Sequence, residues 1–320
     1  MKRIGILTSG GDSPGMNAAI RAVVRCGIAE GMEVYGIHRG YEGLMEGDAV
    51  RMERSDVGDI LHRGGTILKT ARSRHYMEPD GPKKALETMK KLGIGGLVVL
   101  GGDGSMHGAC RLAKEGFPVV FLPCTIDDDL DYTERTIGFD TAVNTVLDAI
   151  SKIRDTSSAH ERVTIVEVMG RECGDIALYA GMAGGAEVVL TPEHLPRLPY
   201  VYNKVLAGLN RGKLHSIIIN AEGSGISSTE LEKLIEANTG KETRTVVLSY
   251  LQRGGSPSAT DRILATLCGA KAVELLKNGE KACAVGQVKG EIVSIDLFEA
   301  VACKADPDLD LYELIEVLSM

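Results

Sequence analysis

The chain has 320 residues, more than one hydrophobic core usually organises, so two domains are expected. Hydrophobic residues make up 44% and charged residues 25%, a globular balance that argues against intrinsic disorder. The formal net charge of −8 argues against a whole-surface nucleic-acid binder, while leaving local anion sites open.

In chain order, the apolar run Ile4–Leu7 predicts a strand, and Met16, Ala19, Ile20, Val23 and Val24 fall at helical spacing within a helix over Met16–Ala29. Val34–Ile37 is the next strand. After an irregular stretch come Thr66–Thr70 and a helix beginning at Pro82, a good first-turn residue. Gly96–Leu100 and Val119–Leu122 are strands flanking a helix over Met106–Lys114. Helix is expected over Ala142–Ile153, Ile176–Ala183 and Ala259–Leu276, and strand over Val163–Val168, Ser216–Asn220 and Val246–Tyr250. Continuous apolar strands alternating with helices predict parallel sheets covered on both faces. A domain boundary is expected near Gly138, with more than one crossing between domains.

Glycine is abundant, 39 residues without a G-X-Y period, which excludes collagen and implies tight turns and close backbone approach. With 4 Phe, 9 Tyr and no Trp the core must be aliphatic, and stacking on single-stranded nucleic acid is disfavoured. The seven cysteines, at 26, 110, 124, 173, 268, 283 and 303, form no CxxC pair and read as free thiols in a reducing cytoplasm. The start, MKRIGILTSGGD, meets glycine and aspartate too soon for a signal peptide, and no apolar run approaches a membrane span.

Four motifs carry chemistry. Thr8-Ser9-Gly10-Gly11-Asp12-Ser13-Pro14-Gly15 joins a strand to a helix, where glycines admit close approach and helix amides favour anions. The simpler reading is an ordinary turn. Leu100-Gly101-Gly102-Asp103-Gly104-Ser105-Met106-His107-Gly108 has the same context and matches neither a Walker A loop nor the dinucleotide fingerprint. Asp103 can hold Mg²⁺ beside phosphates or cap the following helix. Pro123-Cys124-Thr125-Ile126-Asp127-Asp128-Asp129 places three carboxylates after a strand; one can act as base toward a hydroxyl and another help hold a metal, unless this is a solvated acidic turn. Finally, Arg72, Met169-Gly170-Arg171 and Gln252-Arg253-Gly254-Gly255 put arginine beside glycine, suited to bidentate phosphate contacts. Together these suggest two phosphorylated ligands meeting at a metal.

From residue 3 to about residue 300 the sequence resembles the bacterial ATP-dependent 6-phosphofructokinases, through the blocks GILTSGGDSPGMNAAIRAVVR, GGDGS, TIGFDTA, RDTSSAHERV, VEVMGREC, ETR and QRGGSPS. The resemblance implies two similar three-layer α/β/α domains with largely parallel sheets and ligands at strand carboxyl ends. Residues 1–138 plus about 252–303 would bind nucleotide, and 139–251 plus about 304–320 the sugar phosphate. It implies a cytoplasmic, glycolytic kinase that moves the γ-phosphoryl of ATP, with Mg²⁺, to the 1-hydroxyl of fructose 6-phosphate.

By position, Asp127 would be the base, Thr125 and Arg171 would steady the transferring group, Gly11 would lie against the phosphates, and Arg72 would bridge the substrates. Gly102, Asp103, Gly104, Ser105 and Gly108, with Ser73, would line the nucleotide, and Asp103 and Asp129 would meet Mg²⁺. Ile126, Met169, Gly170, Glu222, Tyr250 and Arg253 would hold the sugar phosphate, with Arg162 and Arg244 lent by a neighbouring subunit of a homotetramer. An effector site for ADP or phosphoenolpyruvate would use Arg21, Arg25, Arg54, Asp59, Arg154, Gly185, Glu187, Arg211, Lys213 and His215. Arg21 and Arg25, four apart, share a helix face opposite the apolar stripe, which by itself reads as a solvated basic face. No nucleic-acid or membrane partner is implied.

The chain departs from the family pattern in places. Cys124 and Asp128 replace glycine and asparagine, and Tyr132, Glu134 and Arg135 replace glycine, aspartate and tyrosine. Cys124 is expected to add bulk near the phosphates, and Asp128 negative charge beside the base. Ser73-Arg74-His75-Tyr76-Met77 replaces a Pro-Glu-Phe stretch, Tyr250 a histidine, and Leu214 a frequent lysine. Pyrophosphate users of the family usually carry aspartate at the Gly104 position and lysine at the Cys124 position. The altered loop therefore keeps two alternatives open: another phosphoryl donor or sugar phosphate, or a non-catalytic paralogue that only binds them.

Overall fold

The computed structural model describes residues 1–304 and 309–319. In chain order the elements are β1 (Arg3–Thr8), α1 (Met16–Ala29), β2 (Glu33–Ile37), α2 (Gly40–Glu46), β3 (Ala49–Met52), α3 (Arg74–Met77), α4 (Gly81–Leu92), β4 (Gly96–Gly101), α5 (Asp103–Lys114) and β5 (Val119–Pro123). Then come α6 (Phe139–His160), β6 (Val163–Val168), α7 (Asp175–Gly184), β7 (Val188–Leu190), α8 (Leu198–Asn210), β8 (Ser216–Ala221), α9 (Ser228–Thr239) and β9 (Thr243–Val247). After a 3₁₀ turn at Ser249–Arg253 follow α10 (Ala259–Asn278), β10 (Ala282–Val288), β11 (Glu291–Asp296), α11 (Leu297–Ala302) and α12 (Leu309–Leu318).

The contacts divide the chain into two compact units. Unit 1 holds residues 1–126, 130–141 and 253–304; unit 2 holds residues 127–129, 142–252 and 309–319. The later crossing expected near residue 304 abuts residues 305–308, which lie outside the described residues.

Unit 1 is built on a seven-stranded sheet of order β11-β10-β5-β4-β1-β2-β3. The strands from β10 to β2 run parallel, and β3 and β11 close the edges antiparallel. Both faces are covered, which is why β4 and β5 read as unbroken apolar runs. On one face α1 and α10 bury Met16, Ile20, Val23, Leu264 and Val273 against Ile4, Val98 and Val120. Each fully buried large side chain contributes roughly 1.5–3 kcal/mol. Gly269 lets the two helices approach, since a Cβ there would lie 2.7 Å from Ala22 Cβ. On the other face, residues of α2, α4, α5 and α11 pack on Leu7, Leu97, Val99 and Phe121.

Unit 2 has a parallel four-stranded sheet, β7-β8-β6-β9. Val201 and Val205 of α8 and Leu231 and Ile235 of α9 cover one face, and Gly181 of α7 lies against Val189 and Ile219 on the other.

Two expectations need correction. Thr66–Thr70 pairs with no strand; side chains hold it instead, with Thr66 and Thr8 hydroxyls 3.0 Å apart and Asn17 Oδ1 accepting from Ile67 N at 2.8 Å. The strand expected over Val246–Tyr250 begins earlier, at Thr243, and ends at Val247. There Ser249 adopts φ 44°, which turns the chain into the 3₁₀ segment.

Asp261, 1% exposed in the first turn of α10, is the polar anchor of unit 1. Its carboxylate accepts from Gly138 N at 2.9 Å, from Thr141 N at 2.8 Å and from the Thr141 hydroxyl. Burial pushes its carboxyl up, and these donors oppose that. Asp261→Ala would leave two buried N–H groups without an acceptor. It is expected to cost about 3 kcal/mol and roughly 8 °C in melting temperature by calorimetry; a shift below about 1 °C would rule out the anchoring role.

Candidate active site

In unit 1 three loops leave the carboxyl ends of β1, β4 and β5, where an open α/β sheet presents ligands. The first is pinned by Ser9 N donating to Leu100 O at 2.9 Å, and by Thr70 Oγ1 donating to Gly10 O at 2.8 Å. Gly10 has φ 82° and needs glycine's freedom. Gly11 faces Arg253, whose guanidinium would sit 3.3 Å from any Cβ at that position.

The second loop turns β4 into α5, with Gly102 as N-cap and Asp103 and Gly104 in the first turn. Asp103 and His107 are exposed, with His107 Nδ1 3.2 Å from Asp103 Oδ1. Gly102 lies against Thr125 of the third loop. A Cβ at Gly101 would crowd Ser9 O to 2.6 Å and one at Gly108 would reach 2.6 Å from the Tyr41 ring, whereas one at Gly104 meets nothing within 4 Å.

Tyr41 and Tyr76 support this loop from beneath, a signal the sequence reading missed. Their rings stack at 4.1 Å, and their hydroxyls donate to Ser105 O at 2.7 Å and Gly108 O at 2.8 Å. The altered stretch after the exposed Arg72 is therefore built in. Ser73 caps Tyr76 N at 3.0 Å and bonds Glu42, and His75 Nδ1 lies 3.0 Å from Glu42. The Ser73 hydroxyl, then His75, hold the Glu42 carboxyl below its usual range.

The departures after β5 also have structural partners. Cys124 is fully buried in the core cluster under α1 and α10, so it adds no bulk on the ligand side, contrary to expectation. Burial pushes its thiol far up. Tyr132 is buried and donates to Val285 O at 3.1 Å. Glu134 accepts from Lys289 N at 2.6 Å and Gly290 N at 3.1 Å, clipping the β10–β11 turn, and Arg135 lies over Phe139 at 5.1 Å. Asp128 has φ 57°, a conformation that Asn and Asp tolerate better than most residues.

In unit 2, Asp127 is 3% exposed and its Oδ2 lies 3.3 Å from Arg171 Nε. Arg171 (φ 55°) follows Gly170 (φ 136°) at the carboxyl end of β6. Its N–H donates to Glu222 at 3.0 Å, and Met169 N donates to Gln252 Oε1 at 3.2 Å. This end of the sheet thus gathers Asp127, Met169, Gly170, Arg171 and Glu222. Tyr250 is 73% exposed on the 3₁₀ turn.

Arg162 and Arg244 do not join this cluster. They stand at the amino ends of β6 and β9, and the six residues of β6 separate Arg162 from Met169, roughly 20 Å at ~3.3 Å per residue.

Of the expected effector residues in unit 1, Arg54 and Asp59 are exposed and Arg21 and Arg25 half-buried. In unit 2, Arg154 donates to Gly184 O and to Gly185 O at 3.3 Å, capping α7, and lies 3.3 Å from His215 Nε2. Glu187 is buried between Lys213 and the Ile217 N–H. Arg211 and Leu214 are exposed.

A phosphofructokinase family profile matches residues 3–276. An ATP-dependent 6-phosphofructokinase of Clostridioides difficile is 54% identical over 320 residues, covering both chains completely. Among solved structures, phosphofructokinase from Saccharomyces cerevisiae superposes with TM-score 0.87 at 34% identity, over 94% of this chain and 45% of that one. Pichia pastoris phosphofructokinase in the T-state gives 0.89 at 35% identity, over 99% of this chain and 39% of that one. The chain spans less than half the length of these two yeast chains.

Burial, then Arg154, lower the His215 pKa from 6.5. The unfolded chain therefore takes up a proton below pH 6.5 that the folded chain resists, and stability falls as pH drops from 6.5 through the folded value. His215→Gln is expected to flatten that part of the melting temperature–pH curve; an unchanged curve would exclude this residue as its source.

Proposed function

The chain belongs to the phosphofructokinase family, and we propose that it transfers the γ-phosphoryl of ATP to the 1-hydroxyl of fructose 6-phosphate, giving fructose 1,6-bisphosphate and ADP. The observation that carries this reading is Asp127, buried at the start of unit 2 with Arg171 on its Oδ2. Phosphoryl transfer through a loose transition state asks little covalent chemistry of a protein; positioning and charge do the work.

Unit 1 supplies the phosphate cradle. Gly11 and Gly102 let the backbone come close to where phosphate oxygens would lie, the first-turn amides of α5 would face them, and Arg253 and Thr125 stand against the two glycines. Asp127 takes the proton of the attacking hydroxyl, and Arg171 is placed to meet the charge of the transferring group. Glu222, already bound to Arg171 N, shares the same strand end. Mg²⁺ suits oxygen donors that leave room for water and phosphate, and Asp103, exposed, and Asp129, half-buried, are the carboxylates that would serve it; when bound, it would neutralise phosphate charge.

The separation along β6 supports a shared site. Arg162 and Arg244 are too far from Arg171 to serve the same sugar phosphate, so in a homotetramer they would serve a neighbour's. The surface arginines of unit 1 and the Arg154–Glu187–Lys213 group of unit 2 suit an anionic effector such as ADP or phosphoenolpyruvate. Among the described residues no helix is long and apolar enough to cross a membrane. The unpaired cysteines suit the cytoplasm.

Pyrophosphate as donor has no support from Gly104. The non-catalytic alternative loses its motive, since the departures at 124 and 132–135 are absorbed by packing within unit 1.

Steady-state assay with ATP against pyrophosphate tests the reading; faster turnover with pyrophosphate would sink it. Asp127→Ala is expected to lower kcat about 10³-fold with sugar-phosphate KM changed little, and near-normal turnover would remove Asp127 as base. Gly104→Ala is expected to hold or raise the melting temperature, because a Cβ there has open space, while raising KM for ATP; an unchanged KM would detach this position from the nucleotide.

A further inference from the structure

Arg162 and Arg244 share one carboxylate. Arg162 Nε lies 3.1 Å from Glu242 Oε2, and Arg244 Nη2 donates to Glu242 Oε1 at 2.6 Å. Arg244 Nη1 donates to Thr243 O at 2.9 Å and lies 3.6 Å from Glu236 Oε1, which itself accepts from Thr243 N at 2.9 Å.

Strand register makes this arrangement. Val163 pairs with Thr243, and Val163 N donates to Glu242 O at 3.0 Å. Arg162 and Glu242 therefore stand side by side where two adjacent parallel strands begin, about 4.8 Å apart. Arg244 lies two residues beyond Glu242, a spacing that returns a strand's side chains to the same face. One carboxylate thus reaches both guanidiniums, one through each oxygen.

The energetics decide what such a contact is for. The Arg162, Glu242 and Arg244 side chains are 30%, 41% and 53% exposed, so water screens their attraction and the fold gains little from it. Ordering is another matter. Two long cationic side chains, left alone, repel each other and lose rotamer freedom only when a ligand binds. Beside Glu242 they are ordered beforehand: Arg244 is hydrogen-bonded to it, Arg162 faces it by charge alone, with its Nε 3.1 Å away and making no hydrogen bond, and the Arg162 terminal nitrogens remain for an anion.

We propose that Glu242 is a positioning residue for sugar-phosphate binding: it holds Arg162 and Arg244 as a preformed fork whose remaining N–H groups receive the phosphate dianion. This rests on the proposed roles of those two arginines. Glu242 itself does not touch the substrate.

The test is steady-state kinetics and thermal melting of the full-length chain as Glu242→Gln, Arg162→Ala, Arg244→Ala and the E242Q/R162A double variant. E242Q is expected to raise the fructose 6-phosphate KM about tenfold, with kcat and ATP KM within about twofold and melting temperature within about 1 °C. The double variant should be worse than R162A by less than E242Q worsens the unmodified chain, the remainder being the share that acts through Arg244. Glu242→Asp, whose shorter arm reaches one guanidinium only, should give an intermediate KM and covers the case of a poorly folded E242Q. An unchanged or lower KM in E242Q, with KM raised in R162A and R244A, overturns the proposal and leaves the arginine roles standing. An unchanged KM in both arginine variants overturns those roles, and the proposal with them.

Discussion

The buried carboxylate of Asp261 is the constraint on which the ligand-facing side of unit 1 depends. It sits in the first turn of α10 and receives the N–H groups of Gly138 and Thr141. The segment leaving β5 is thereby tied down at its far end. Its near end is tied by Cys124 N on Gly101 O at 2.8 Å, and its middle by the Thr136 hydroxyl on Thr125 O at 2.8 Å. The part of this stretch that carries Thr125 is thus held by buried hydrogen bonds, where breaking one leaves a desolvated donor.

Charge is arranged on the same principle of prior placement. Guanidiniums that would otherwise wave in water each rest on an acceptor: Arg171 on Asp127, Arg162 and Arg244 on Glu242, Arg154 on the carbonyls that end α7. An acidic total of −8 therefore coexists with guanidiniums placed in advance, as the proposed phosphate sites require. Net charge acts at long range, whereas ligand choice would rest on short-range geometry.

Much of this was legible in the sequence, and the rest was hidden for physical reasons. Glycine–aspartate loops after apolar strands are legible as strand-to-helix turns because glycine conformation and helix starts are local signals. Helix α1 was read to the residue, since its apolar stripe and the glycine before it are local signals. Asp261 was not legible. Ser258 three residues earlier makes it look like an ordinary helix-capping acid, and its partners lie more than a hundred positions away. Glu242 was hidden likewise, because strand register, not spacing, joins it to Arg162. The substitutions at 132–135 looked like damage to an active loop because their compensating partners, Val285, Lys289 and Gly290, belong to a hairpin far along the chain.

The glycines of the β4–α5 turn are not equivalent. At 101 and 108 any side chain would strike backbone or a tyrosine ring, so folding alone keeps glycine there. At 104 the space is empty and α5 would accept almost any residue. A small side chain at that position costs the fold nothing, and under the proposed function the nucleotide would be what selects against it. A lineage changing its phosphoryl donor could therefore drift through this position without first becoming less stable, which makes it the point in the loop where new chemistry can begin.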